Sequence, residues 1–334
     1  MPLNRNPTII DVAKAAGVSK SVVSRVLTGN GQVSPDARSK VEKTVAALGY
    51  SSNAAAQALA LGRTKNIGLL LRRSTSPFYG KLMFDLQAHA AQAGYRMLAV
   101  TGNLDNDSES HALQTLLELR VDGLIIGSGN LPTEQILPIA ASLPTVVVSR
   151  PAPGSAADVV QVDAAGQATE ASRLLARHGH RRVGLITVPN SLSAAPRLAA
   201  LRERLGADGF ELIEATGSYD FPQASVAAAE LLSVPDRPTA VLSLSADGGW
   251  ATLREAERSG LTVPGELSVL CFDEPDHGFA ASRELTSITQ GGQQLPDSAW
   301  RLLADRLEQP GLPPREVLVL GPTVAGSTFG PAAG

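Results

Sequence analysis

TIIDVAKAAGVSKSVVSRVL, residues 8–27, is the stretch that decides how this chain is built. Thr8 stands ahead of the first periodic run as an N-cap, its hydroxyl placed to accept an orphan backbone N–H. Ile9, Val12, Ala13 and Ala16 fall on one face at helical spacing. Gly17 ends the run, because a left-handed residue there needs no Cβ. Ser19 caps a second run, Lys20 to Leu27, whose apolar positions are Val22, Val23, Val26 and Leu27. Two short helices joined by Gly17-Val18-Ser19 predict a helix-turn-helix. Beyond a loop over 28–33, Ser34-Pro35 reads as a cap with proline at the first helical position. A third helix runs from there to about Leu48, and Gly49 ends it.

Charge follows a similar boundary. Residues 1–65 hold nine lysines and arginines against three acids, a net of +6 in a chain whose total is −3. The remainder therefore stands at −9. A small basic head on an acidic body points to a polyanion, nucleic acid first, as the head's partner. Charge alone fits a merely solvated N-terminus equally well.

Residues 8–60 as a whole resemble the DNA-binding head of the LacI/GalR family of bacterial repressors. The likeness covers the turn, the VSRVL run and the Gly49-Tyr50 exit. It implies that the second helix lies in the major groove of double-stranded operator DNA, its N-terminal residues at base edges. Lys20 and Ser21 are then the candidate base readers, with Arg25 one turn on. An arginine paired bidentately with guanine supplies about 1–3 kcal/mol of discrimination. The other reading of Lys20 and Arg25 is contact to phosphate alone. Thr8, Ser19 and Ser24 read as phosphate donors or caps. Val22 stands where the family commonly has threonine, so a contact from that hydroxyl is absent. The alanine-rich run 53–60 is by itself only marginally helical. The resemblance makes it a DNA-contacting hinge helix that starts at Asn53 and wedges Leu59 into the minor groove. An ordinary linker whose leucine packs locally is the alternative. Ser52, where the family has proline, leaves the start of that hinge less rigid.

After Lys65 the pattern changes. Strand-like runs occur at 67–71, 97–100, 124–126, 145–148, 183–187, 240–242, 267–272 and 317–320. Helical periodicity fills 80–92, 108–119, 166–177, 196–205, 223–232 and 249–259. This alternation predicts parallel sheets covered on both faces. The resemblance continues through NIGLL at 66–70, RVDGLI at 120–125, GHRRVGLI at 179–186, RPTAV at 237–241 and ELTSITQ at 284–290. It implies a body like a periplasmic sugar-binding protein, two lobes joined by three crossovers near 162, 290 and 321. The expected fold is α/β, two doubly wound parallel-sheet lobes behind an N-terminal all-α helix-turn-helix domain. The expected boundaries are a head over 1–52, a hinge and linker over 53–65, and a body over 66–330. Within the body, lobe 1 takes 66–162 and 291–321, and lobe 2 takes 163–290.

Ligands bind outside the carboxyl ends of parallel strands, here the cleft between lobes. Phe78 fits an aromatic platform or a hydrophobic staple for the next helix, and Tyr79 is the lesser candidate. Arg197, at a helix start, resembles the family's effector-gripping arginine, with a surface ion pair as the alternative. Asp273, ending LSVLCFD, matches a usual effector-binding aspartate or caps its turn. Asp163 binds a hydroxyl or orders the crossover. Tyr219 or Phe221 supplies a second stacking face. Asp163-Ala164 and Ser245-Ala246 depart from the Asp-Asn and Asn-Asp common among relatives, so the polarity of the cleft differs from theirs.

A single cysteine, Cys271, excludes an intramolecular disulfide or a cysteine zinc cluster. The five histidines show no metal-ligand spacing, and His178-Gly179-His180 falls in the family's Gly-His-Arg-Arg turn. There is no nucleophile elbow, Walker pattern or complete dinucleotide fingerprint, so no enzyme and no cofactor are expected. No run of signal-peptide or membrane-spanning length is present, so a cytoplasmic location without membrane contact is expected. The sequence reading is a cytoplasmic homodimeric repressor controlled by a sugar or related metabolite. A free-standing sugar-binding protein of the periplasmic type is the alternative, against which the basic head argues. No heptad tail follows Thr328, which disfavours a tetramer.

Overall fold

The computed structural model describes residues 7–28, 32–50, 62–73, 76–102, 105–127, 130–274 and 284–333. The chain divides into two compact units, Met1–Thr64 and Lys65–Gly334. Asn53 and Leu59, the expected hinge contacts, lie outside the described residues.

The first unit holds α1 (Ile9–Ala16), α2 (Lys20–Thr28) and α3 (Pro35–Leu48). Thr8 and Asp11 form a capping box: Asp11 N donates to Thr8 Oγ1 at 3.4 Å and Thr8 N donates to Asp11 Oδ2 at 2.8 Å. Gly17 and Gly49 end α1 and α3 in the left-handed region, at φ 66° and 60°. Val12, Val23 and Val41, one from each helix, are fully buried. Each contributes about 1.5–3 kcal/mol of burial, which suits a small three-helix core.

The second unit contains two sheets of six strands. Lobe 1 carries β1 (Asn66–Leu71), β2 (Arg96–Thr101), β3 (Gly123–Gly127), β4 (Thr145–Val148), β5 (Asp158–Val162) and β11 (Glu316–Val319). They lie in the order β2-β1-β3-β4-β5-β11, all parallel. Lobe 2 carries β6 (Arg182–Thr187), β7 (Glu211–Thr216), β8 (Ala240–Ser243), β9 (Ser268–Cys271), β10 (Thr286–Ile288) and β12 (Thr323–Val324). Their order is β7-β6-β8-β9-β10-β12, the same winding. Only β12 runs antiparallel, against β10. Helices α4 (Pro77–Gln92), α5 (Asn106–Glu118) and α6 (Thr133–Ala140) cover lobe 1. Helices α7 (Ala164–Arg177), α8 (Ala195–Ala207), α9 (Phe221–Ser233) and α10 (Ala246–Arg258) cover lobe 2, and α11 (Gln294–Glu308) returns to lobe 1. The chain thus changes lobe between β5 and α7, between β10 and α11, and between β11 and β12.

Central strands are largely apolar because helices cover both faces; every residue of β3 is buried. The edge strands β2 and β7 keep polar, exposed positions. Gly68 in β1 and Gly184 in β6 are equivalent. A Cβ at Gly68 would meet Leu124 at 3.0 Å, and one at Gly184 would meet Pro238 at 3.0 Å. In both lobes the missing side chain lets neighbours close over the central strand.

An ion cluster fastens α11 and β11 into lobe 1. Asp158 is fully buried and accepts from Arg306 Nε and Nη2, each at 2.8 Å. Arg315 adds its backbone N–H and Nη2, both at 2.8 Å. Burial alone would push the Asp158 carboxyl up, but these donors outweigh it and hold it below the ordinary aspartate range.

Candidate functional site

Strands of both sheets deliver residues from their carboxyl ends to one cleft. Arg72 and Arg73 follow β1, Ser149 follows β4, Leu244 and Ser245 follow β8, Asp273 follows β9 and Gln290 follows β10. Ser76, Phe78 and Tyr79 join them from the start of α4, and Ser193, Arg197 and Tyr219 from lobe 2. The cleft encloses about 460 Å³, part of it open to solvent. It lies where strand order reverses in each sheet, as the general rule for open α/β sheets requires.

Arg197 is 6% exposed and is held by lobe 2 itself. Its Nη1 donates to the Phe272 carbonyl at 3.0 Å and its Nη2 to Tyr219 Oη at 3.3 Å. Burial raises the Tyr219 phenol, but the Arg197 charge and the Ser193 hydroxyl outweigh it and leave the group below its ordinary range. Burial drives the Tyr79 phenol far up, and the Arg72 charge offsets only part of it. Asp273 accepts from Ala246 N at 3.0 Å, Gln290 Nε2 at 2.9 Å and its neighbour Glu274 N at 2.9 Å. Burial pushes its carboxyl above the usual range despite these donors and the nearby Arg197.

Two contacts tie the lobes together. The Arg72 guanidinium lies over the Tyr219 ring, 4.4 Å from its centroid. Arg73 Nη2 donates to Asp247 Oδ2 at 2.6 Å. Charged and aromatic groups thus bridge the cleft.

In the head, α2 turns Val23 and Val26 inward and leaves Lys20, Ser21, Ser24 and Arg25 exposed. Ser19 Oγ accepts from Val22 N at 3.3 Å and shares a 2.9 Å hydrogen bond with Ser21 Oγ. Arg25 Nε rests on the Ser21 carbonyl at 3.3 Å. Exposed donors along one helix edge, backed by an apolar face, suit a polyanionic groove.

Comparison with known proteins now bears on these two sites. Residues 8–53 match the family described as bacterial regulatory proteins, lacI family, and residues 173–329 match a periplasmic binding protein-like domain. The ribose operon repressor of Escherichia coli (strain K12) is 31% identical over 314 residues, covering 91% of this chain and 94% of that protein. The HTH-type transcriptional regulator CelR of Thermobifida fusca is 32% identical over 320 residues, 92% of this chain and 94% of its own length. The chain belongs to the lacI family of bacterial regulatory proteins. A crystal structure of the lac repressor dimer bound to operator and the anti-inducer ONPF has the same fold, with a TM-score of 0.85 at 24% identity over 97% of this chain and 99% of that one.

In this lacI-family chain the sequence-derived cleft residues separate into two groups. Phe78, Tyr79, Arg197, Tyr219 and Asp273 line one cavity. Asp163 and Phe221 are not in that lining. Asp163 caps α7, its Oδ1 accepting from Gly166 N at 2.9 Å, and so orders the crossover. Phe221 opens α9 with the Arg254 guanidinium 5.3 Å from its ring centroid. Phe78 is only 7% exposed and belongs to the lobe 1 core as much as to the cavity. Arg72, Arg73, Ser149 and Gln290 went unremarked in the sequence. IGLLLRR carries a readable signal, two arginines at the end of the first body strand. Ser149 carries none, because its place in the lining follows a left-handed backbone at φ 62°. Among the described residues, no helix is long and apolar enough to cross a membrane.

Proposed function

We propose that this chain is a transcriptional repressor that binds operator DNA as a homodimer and is controlled by a small molecule, a sugar or related metabolite, held between its lobes. One observation carries the reading: a helix-turn-helix with an exposed polar edge shares the chain with a polar cleft at the switch points of two parallel sheets. Lys20 and Ser21 read base edges from the amino end of α2, and Arg25 pairs with guanine. Thr8, Ser19 and Ser24 serve as caps and phosphate contacts, and Leu59 wedges the minor groove behind Asn53. The ligand acts by binding open and closed lobes with different affinity, which biases the hinge of each protomer. A regulator of this kind works on DNA in the cytoplasm and needs neither catalysis nor a cofactor.

The test begins with the full chain and a randomised duplex pool. Enriched duplexes are expected to share a near-palindromic site, with affinity falling steeply as salt rises. A thermal-shift screen of sugars and metabolites follows, and each hit is added to the operator titration. A chain that enriches no sequence, or whose hits leave operator affinity unmoved, overturns the reading.

A further inference from the structure

The cleft lining is rich in arginine. Among the described residues, it carries three arginines, 72, 73 and 197, against one carboxylate, Asp273. Two of the arginines are engaged: Arg73 with Asp247 across the cleft, and Arg197 with the Phe272 carbonyl and Tyr219. Asp273 is engaged too. Three donors already occupy a carboxylate with about four acceptor sites, so little of it is left for a ligand.

Arg72 differs. It is 8% exposed, and its Nε is buried without a hydrogen-bond partner. Ser149 Oγ, in the same lining, is also buried and unpartnered. Orphaned polar atoms of this kind are costly and rare in folded proteins, and two of them in residues that line one cavity ask for an acceptor. The position of Arg72 over the Tyr219 ring selects the kind of acceptor. Stacking occupies a face of the guanidinium and leaves its planar N–H edge, the edge that matches carboxylate and phosphoryl oxygens. A neutral polyol could satisfy the hydrogen bonds but would not pair with the Arg72 charge.

We propose that the molecule held in this cleft carries an anionic oxygen group, a carboxylate or a phosphoryl group, seated on the N–H edge of Arg72 beside Ser149 Oγ. This rests on the cleft being the effector site, and it narrows the effector class to sugar phosphates and sugar acids.

The experiment is calorimetry on the full chain with matched probes: glucose, glucose 6-phosphate and gluconate; ribose and ribose 5-phosphate. An anionic member is expected to bind at least about tenfold more tightly than its neutral partner. Arg72→Gln is expected to remove that preference, and Arg72→Lys to keep part of it. Ser149→Ala, a smaller change, is expected to weaken the anionic probe severalfold if the arginine variants fold poorly. The two anionic arms separate phosphate from carboxylate, and either one supports the proposal. Binding of neutral sugars alone, or of anionic probes with equal affinity in wild type and Arg72→Gln, overturns it. So does binding of none of the probes. Operator affinity measured beside each titration keeps the two readings apart. A neutral ligand that moves operator affinity defeats the anion and leaves the regulator. An anion lost in Arg72→Gln that never moves operator affinity supports the anion site and defeats the regulator.

Discussion

Arg73 and Asp247 meet across the cleft, Nη2 to Oδ2 at 2.6 Å, one following the first strand of lobe 1 and the other in the first turn of α10 in lobe 2. Their positions make the pair a latch between lobes. The side chains are 19% and 33% exposed, so water screens part of the attraction. A pair in this setting is worth about 0.2–1 kcal/mol. A double-mutant cycle of Arg73→Ala and Asp247→Ala should return a coupling in that range. The radius of gyration by X-ray scattering should rise in each single variant as open lobes gain population. Zero coupling with an unchanged radius would mean that the pair is incidental to closure.

Asp158 and Arg306 form a different kind of pair, fully withdrawn from water. Removing Arg306 leaves the buried carboxylate with Arg315 as its remaining cation, so the loss should stay below the roughly 3–5 kcal/mol of a wholly unpaired buried charge. Arg306→Met should lower the unfolding free energy measured in urea by about 1–3 kcal/mol, more than any latch variant. The acid limb carries the second signature. The folded carboxyl lies below its ordinary range, so its stabilisation is complete above about pH 4 and is lost as pH falls through the depressed value. Asp158→Asn should therefore flatten stability against pH below about 4. An acid limb identical to wild type would refute this account.

How much of this was legible in advance depended on where the signal was local. The head was readable residue by residue because caps, glycines and apolar spacing all lie within one turn of what they control. The long central strands were readable for their unbroken Val, Ile and Leu. Strands β5, β7, β10 and β12 and helices α6 and α11 were not picked out. β7 is an edge strand with a polar sequence, β10 and β12 span three and two residues, and α6 contains Pro138. Their conformation is set by neighbours distant in sequence. The cleft shows the same limit. Strand ends could be located, but nothing local in DVVQVDAAG told a capping Asp163 from a ligand-binding one.

Arg197 should reveal itself through Tyr219. Its charge, with the Ser193 hydroxyl, outweighs burial and holds that phenol below the ordinary tyrosine range. Arg197→Met removes the charge and leaves the burial. In an alkaline absorbance titration of the four tyrosines, one transition should move upward in the variant. Arg197→Lys should restore part of the difference. Phe78 offers no comparably clean test. Phe78→Ala would open a core cavity costing about 3–5 kcal/mol, so Phe78→Leu is the better probe of ligand contact. Four unchanged transitions in Arg197→Met would mean that the arginine does not govern Tyr219.

On the head, Arg25 and Lys20 should show base reading in their pattern of loss. A base-reading Arg25 should cost about 1–3 kcal/mol on the best operator when replaced by methionine, with relaxed preference at one base pair. A residue that contacts phosphate alone would instead weaken all duplexes alike on replacement and reduce the salt slope by about one. Affinities across single-base operator variants at several salt concentrations distinguish the two. A uniform loss in Arg25→Met would reassign it to the backbone.

His180 ties the C-terminal segment to lobe 2, and its protonation should loosen that tie. Its Nε2 bonds to the Gly330 carbonyl at 3.0 Å, so Nε2 carries the proton, and Nδ1 accepts from Thr239 Oγ1 at 2.9 Å. Phe329 lies against the ring, at 5.3 Å between centroids. The segment is held further by Ser268 Oγ on the Gly330 carbonyl at 3.0 Å and by Thr328 Oγ1 on the Val269 carbonyl at 2.9 Å. A second proton would turn Nδ1 from acceptor to donor in a site that offers it a hydroxyl already oriented the other way. Burial, with His178 nearby, therefore depresses the folded pKa, although the Gly330 carbonyl pulls upward. The unfolded chain takes up its proton near pH 6.5 and the folded one only at lower pH. Stability should be complete above about 6.5 and should fall below it, by at most about 1.4 kcal/mol per pH unit, until the folded group also titrates. Urea midpoints between pH 8 and 5 would show the fall, and His180→Gln should flatten it while lowering stability at pH 8. If wild type and variant ran parallel over that interval, the histidine would not be the group that loosens this anchor.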